Sequence, residues 1–209
     1  MAGDALSTQR RSPGTGCSGM RIGLLGGSFN PAHDGHRHIT LAALGLLRLD
    51  RVWWMVSPQN PLKPAAGMAP YAERLTAAAD FARHPKIEVS DIEARLGTRY
   101  TVDTLGALKR CYPFTRFVWL MGADNLIEIP RWRDWTGIFD RIPIAVFNRN
   151  SYSFKALAGE AARRYRSGRV GAKAAPTLAE RTPPAWIYLP IMAHGAAGTE
   201  IRADGKRRS

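Results

Sequence analysis

The 209-residue chain has only two cysteines, Cys17 and Cys111, too few for a disulfide framework. A reducing, cytoplasmic setting is the simplest expectation from that scarcity. No apolar run approaches the roughly 18 residues of a membrane span. The longest, residues 39–47, contains Thr40 and Gly45 and is followed by Arg48. No membrane partner is therefore expected. The first twenty residues are small and polar, with Arg10 and Arg11 but no apolar core, which argues against a secretory signal. Residues 1–19 read as a disordered extension, with Met20 as a candidate alternative start. Internal repeats are absent. So are the dinucleotide fingerprint G-x-G-x-x-G and the P-loop G-x-x-x-x-G-K-[ST].

Acidic residues are also scarce, with 17 Asp and Glu against 30 Lys and Arg, for a net charge of +13. The imbalance is concentrated in residues 151–209, which carry eleven basic and four acidic side chains, among them Arg163, Arg164, Arg166, Arg169 and Lys206-Arg207-Arg208. A solvated helix face plus a basic tail, residues 203–209, accounts for it. A polyanion-binding patch is the competing reading. It lacks an accompanying nucleic-acid motif, so no nucleic acid is expected as a partner.

What the sequence does have is alternation. Short apolar runs at 21–25, 52–57, 86–90, 117–121, 142–147 and 186–189 read as strands. Between them, 36–48, 70–83, 101–111, 131–139 and 152–166 read as helices. Residues 168–184, rich in Gly, Ala and Pro, read as loop-like. Thr101 is expected to cap its helix, with Asp103 in the first turn. Such alternation implies βαβ units and a mostly parallel sheet in a single domain, residues 20–202. In such sheets ligands bind beyond the carboxyl ends of the strands. Four junctions lie there: 26–36, 57–63, 122–125 and 147–150.

The first junction reads Gly26-Gly27-Ser28-Phe29-Asn30-Pro31-Ala32-His33-Asp34-Gly35-His36. Gly26 and Gly27 let backbone N–H groups approach an anion, and Gly35 allows a tight entry into a helix whose N-terminus favours negative charge. His33 and His36, three apart, can point at one spot beside it. A lone histidine here would read as a surface or capping side chain. Asp34 reads as a helix cap and His38 as exposed. A zinc set built on His33, His36 and His38 lacks further ligands at metal spacing. Trp53 and Trp54 read as packing. Of Trp132 and Trp135, three apart on a short helix, one can be core. Lys63 reads equally well as a solvent-exposed loop lysine.

Taken whole, the junction matches the G-x-F-x-P-x-H-x-G-H signature, and the chain resembles the HxGH nucleotidyltransferases, in particular the bacterial nicotinate-nucleotide adenylyltransferases. The resemblance spans residues 21–202. It rests also on Asn60-Pro61-Leu62-Lys63, on Arg99-Tyr100-Thr101-Val102-Asp103-Thr104-Leu105, and on Met121-Gly122-Ala123-Asp124-Asn125-Leu126 followed by Trp132. It implies a Rossmann-like, doubly wound α/β fold. The implied reaction joins ATP, with Mg²⁺, to nicotinate mononucleotide, giving nicotinate adenine dinucleotide and pyrophosphate. By the same resemblance, Gly26, Gly27, Ser28, Phe29, His33 and His36 hold the ATP phosphates, with His33 and His36 catalytic. Asp124 contacts the adenosine ribose, and Thr199 and Arg202 complete the ATP site. Lys63, Tyr100, Thr101 and Trp132 surround the acceptor, and no protein metal site is implied. The family's last motif, I-S-S-T-x-I-R, departs here to Ala196-Ala197-Gly198-Thr199-Glu200-Ile201-Arg202, which lacks the serine hydroxyls. Related acceptors, nicotinamide mononucleotide or pantetheine phosphate, and a nucleotide-binding protein without catalysis stay open alternatives.

Overall fold

The computed structural model describes residues 16–59, 67–148 and 153–191. Along them run β1 (Arg21–Gly27), α1 (Asp34–Leu46), β2 (Arg51–Val56), α2 (Tyr71–Ala82), β3 (Ile87–Ser90), α3 (Ile92–Leu96) and α4 (Thr101–Cys111). Then come β4 (Arg116–Gly122), α5 (Ala123–Glu128), α6 (Trp135–Arg141), β5 (Ile144–Asn148), α7 (Ser153–Ala158), α8 (Glu160–Arg164), β6 (Arg169–Val170) and β7 (Trp186–Pro190). Among the described residues the strands form one seven-stranded sheet in the order β3-β2-β1-β4-β5-β7-β6, every pairing parallel.

A sheet covered on both faces needs strands that are apolar at every position, and the central strands are. In β2, Trp53 and Trp54 are 4% and 0% exposed, yet period-two alternation sends them to opposite faces. Trp53 packs with Ile22, Leu24, Trp119 and the buried positions of α3 to α8. Trp54 packs with Leu25, Phe29, Val118 and the buried positions of α1, α2 and the 3-10 segment Ala172–Glu180. The direction of winding reverses between β1 and β4, so their carboxyl ends, Gly27 and Gly122, border the crevice where such folds bind ligands.

Several boundaries differ from the sequence expectation. Residues 168–184 are not loop: they hold β6 and the 3-10 segment, whose Ala175, Leu178 and Ala179 are buried. Pro176 inside it bars a regular α-helix but not a tighter turn packed on the sheet. The helix expected over 152–166 is two, α7 and α8, parted at Gly159. The helix expected over 131–139 is a 3-10 turn, Ile129–Arg131, and then α6, with Asp134 between them at φ 43°. The extension expected over 1–19 is structured at its end. Gly19 N–H donates to the Phe114 carbonyl at 2.8 Å, and the Thr115 hydroxyl donates to the Cys17 carbonyl at 2.8 Å. Among the described residues no helix is long and apolar enough to cross a membrane.

Candidate active site

The chain leaves β1 at Gly27 and must turn back into α1. A Cβ on Gly26 would come within 2.6 Å of the Trp119 ring, so this glycine answers to packing as well as to backbone access. Ser28 follows, and then Phe29 at φ 46°, a left-handed conformation uncommon outside glycine. The Phe29 side chain is 1% exposed and stacked on Trp54 at 5.1 Å between centroids, with His36 on it at 4.6 Å. Its side chain thus belongs to the core, and only its backbone can meet a ligand.

The helix cap is made by the histidines. His33, not Asp34, is the N-cap of α1; its Nδ1 accepts from Gly35 N–H at 3.1 Å. In return His33 N–H donates to Nδ1 of His36 at 3.2 Å, closing a capping box. The two rings lie 3.9 Å apart. An Nδ1 that accepts an amide N–H carries no proton, so each neutral ring carries its proton on Nε2. The helix is anchored below by Thr40, whose hydroxyl donates to the His36 carbonyl at 2.8 Å and accepts from Trp54 Nε1 at 2.7 Å.

The other expected residues lie beside β4. Asp124 is exposed in the first turn of α5, directly after Gly122. Trp132 is half-buried and meets Trp119 edge-on at 6.5 Å, so a contact path runs from Gly26 through Trp119 to Trp132. Trp135 is packing: it meets Phe139 and Tyr165 at 6.0 and 5.9 Å. Tyr100, not Thr101, is the N-cap of α4, and it makes no side-chain cap. Thr104 holds that turn instead, through Thr98 at 2.8 Å and the Tyr100 carbonyl at 3.2 Å. Arg133 lies over the Tyr100 ring at 4.5 Å and within 3.8 Å of Asp103, which ties the head of α4 to the Trp132 turn. Lys63, Thr199 and Arg202, and with them the altered Gly198 motif, lie outside the described residues.

Two residues at this end of the sheet were not foreseen. Arg74 of α2 is only 3% exposed and donates to the carbonyls of Ser28, Ser57, Pro58 and Ala69. Burial pulls its guanidinium below the usual range, a pull the neighbouring Tyr71 opposes. Glu93 of α3 is 7% exposed. Burial pushes its carboxyl up to about 7, against a hydrogen bond from Ser57 that favours the ionised form. Tyr71 nearby is also raised, first by burial and then by the charges of Asp91 and Glu93. Charged residues on helices normally read as solvent-facing. The one available signal was that Arg74 falls four residues before Ala78, on the apolar side of α2.

The Cytidylyltransferase-like family model matches residues 24–202. A probable nicotinate-nucleotide adenylyltransferase from Parvibaculum lavamentivorans is 54% identical over 90% of this chain and 93% of its own length. Another, from Cereibacter sphaeroides, is 51% identical over 90% of this chain and the whole of the relative. The chain belongs to the nicotinate-nucleotide adenylyltransferase family of nucleotidyltransferases. Among solved structures, the Plasmodium falciparum nicotinic acid mononucleotide adenylyltransferase complexed with NaAD shares the fold. It aligns with a TM-score of 0.66 at 16% identity, covering 88% of this chain and 83% of that one.

Proposed function

We propose that this enzyme transfers the adenylyl group of ATP to nicotinate mononucleotide, releasing pyrophosphate and forming nicotinate adenine dinucleotide. Its family membership supports the reaction. The observation that carries the chemistry is the capping box of His33 and His36. It fixes two imidazoles 3.9 Å apart at the head of α1, beside the end of β1. With each Nδ1 occupied by a backbone N–H, the donor each ring has for an anion is its Nε2–H.

A phosphate oxygen of the acceptor attacks the α-phosphorus of ATP in line. The bond from that phosphorus to the bridging oxygen breaks, and pyrophosphate leaves with the electron pair. The nucleophile is already an anion, so no strong base is required. The enzyme's work is positioning and stabilising charge on the phosphoryl oxygens. Two imidazole donors and the N-terminus of a thirteen-residue helix suit it. Mg²⁺ enters as part of the substrate, bound to the ATP phosphates, which is how this ion is commonly carried. In this reading the chain's own donors, the two imidazoles and the α1 N-terminus, are directed at the phosphates. Asp124 then serves the adenosine ribose, and Tyr100, Thr101 and Trp132 serve the acceptor ring. Lys63, Thr199 and Arg202 are assigned to the site from the motif alone. ATP and the mononucleotide are the expected partners, in the cytoplasm.

The test is pyrophosphate release from ATP with nicotinate mononucleotide, nicotinamide mononucleotide and pantetheine phosphate in parallel. The proposal expects the highest kcat/KM with nicotinate mononucleotide. A preference for either other acceptor reassigns the substrate, and ATP binding without release from any of them makes the protein a nucleotide binder.

A further inference from the structure

Arg74 is a buried cation whose four described hydrogen-bond acceptors are all backbone carbonyls; its guanidinium also lies over the Tyr71 ring at 5.4 Å, and among the described residues no carboxylate lies within ion-pair distance of it. Burying a charge without a counter-ion is costly. Arginine's fork of five donors suits a clamp on carbonyls from separate loops, but the charge that comes with it still needs an explanation.

Its reach supplies one. Nη1 bonds the Ser28 carbonyl at 2.6 Å and the Ser57 carbonyl at 2.8 Å; Nη2 bonds Pro58 at 2.8 Å and Nε bonds Ala69 at 3.0 Å. The loops that follow β1 and β2 are thus fastened from below by one side chain of α2. The Ser28–Phe29 peptide is trans, so its N–H points opposite to its carbonyl. With that carbonyl on buried Arg74, the Phe29 N–H is turned away from the interior. Phe29 is also the residue at φ 46°. Such a conformation is strained for a side chain of this kind and persists where the surroundings over-determine it. Arg74 on one side and the His36–Phe29–Trp54 stack on the other do so here. Asn30 adds an outer anchor to the segment Arg74 also grips. Its Nδ2 donates to the Gly67 carbonyl at 3.1 Å, and its Oδ1 accepts Ala69 N–H at 3.2 Å.

We propose that Arg74, with Asn30 as its outer anchor, is a positioning residue for ATP: it sets the conformation of the β1 loop so that its amides face the phosphates, and those phosphates supply the counter-charge that no described carboxylate gives the guanidinium. This inference rests on the β1 loop being the ATP site. Lysine cannot replace arginine here, because one ammonium cannot fork to carbonyls on separate loops.

The experiment compares wild type, Arg74→Lys, Asn30→Ala and Ala78→Gly. The last loosens the same helix in the core without touching the loops. Thermal unfolding, titration with MgATP, and steady-state kcat and KM are measured for each. Arg74→Lys is expected to raise both the Kd and the KM for MgATP 10-fold or more, with the acceptor KM changed less than 3-fold. Ala78→Gly is expected to lower Tm and leave the Kd for MgATP as in wild type. An Arg74→Lys protein that loses Tm like Ala78→Gly yet binds MgATP like wild type overturns the inference. Should Arg74→Lys fail to fold, Asn30→Ala decides. A rise in its MgATP Kd of 3-fold or more at normal Tm supports the clamp, and an unchanged Kd overturns it. A wild-type protein that binds no MgATP defeats the functional reading itself, which is a separate outcome.

Discussion

The two sides of the site are built by different physics. On the β1 side, His33, His36, Phe29 and Arg74 are held by hydrogen bonds and ring stacking, and the Arg74 side chain is only 3% exposed. On the α4 side, Tyr100, Trp132 and Arg133 are half-buried or exposed. There the Arg133–Asp103 pair spans 3.8 Å between side chains 61% and 49% exposed. A triphosphate is the same in every ATP, so a rigid, preorganised cradle suits it. Under the proposed assignment the α4 side chooses among similar acceptors, and its parts are held by weak contacts that can adjust. Substitutions on the first side should therefore cost much, and those on the second should cost little while redirecting preference.

The largest effect is expected at His36. Removing one preorganised donor to a phosphoryl oxygen costs about 10²-fold or more in turnover. His36→Ala should lower kcat by that factor, with circular dichroism and the acceptor KM near wild type. Loss of the capping box costs roughly 1 kcal/mol of stability as well, which thermal unfolding measures. A normal kcat would remove the imidazole from the chemistry and leave it as a helix cap.

Glu93 sharpens the contrast on the buried side. Its carboxyl is raised from 4.5 to about 7 by burial. The stability of the protonated form is fully present below pH 4.5 and is lost as pH rises through about 7, because the folded protein must then bury a carboxylate. Ionisation costs at most about 3 kcal/mol, taken from the size of the shift. Glu93→Gln should match wild type near pH 4 and exceed it by up to that amount at pH 8. Urea unfolding at the two pH values checks it, and a gap that does not widen with pH would place the carboxyl in contact with water.

A smaller effect is expected from the acceptor. The α4 N-terminus at Tyr100-Thr101 offers amide donors to a carboxylate, while an amide group presents its own NH₂ to them. One unsatisfied donor costs about 1–3 kcal/mol, which is roughly 10-fold or more in kcat/KM between the nicotinate and nicotinamide mononucleotides. Equal values would mean that this helix start does not read the ring.

The same contrast explains what could be read from sequence. The sheet was legible because β1, β2 and β4 are apolar at nearly every position and end in glycine or a breaker, and the turn from β1 into α1 was legible from the glycines and the proline of 26–36. Helices α3 and α5, five and six residues long, are too short for a periodic signal. Arg74 and Glu93 were missed because their burial depends on loops brought in from β1 and β2, which no local pattern encodes. The cap of α1 was misread for a related reason. Aspartate is the stronger capping residue by propensity, but His33 and His36 satisfy each other three residues apart.

The smallest effect should come from Arg133. Its guanidinium over Tyr100 contributes about 0.5–1 kcal/mol at an exposed site, and its ion pair with Asp103 contributes less than about 1 kcal/mol. Both side chains are about half exposed or more, so water and salt screen the pair. Arg133→Ala should therefore shift stability by no more than about 1 kcal/mol. Yet Arg133 is the residue after Trp132 and covers Tyr100. If the acceptor ring sits there, the substitution uncovers one wall of its pocket and removes a positive charge near a negatively charged molecule. The expected result is a rise of a few-fold in acceptor KM, larger at low ionic strength than at high, with the ATP KM unchanged. Steady-state kinetics at about 20 mM and 500 mM salt measures it, the Debye length falling from roughly 20 Å to about 4 Å between them. A change in ATP KM instead would show that the two sides are coupled through Trp132 and Trp119 to Gly26, and the division between a rigid cradle and an adjustable acceptor side would fail.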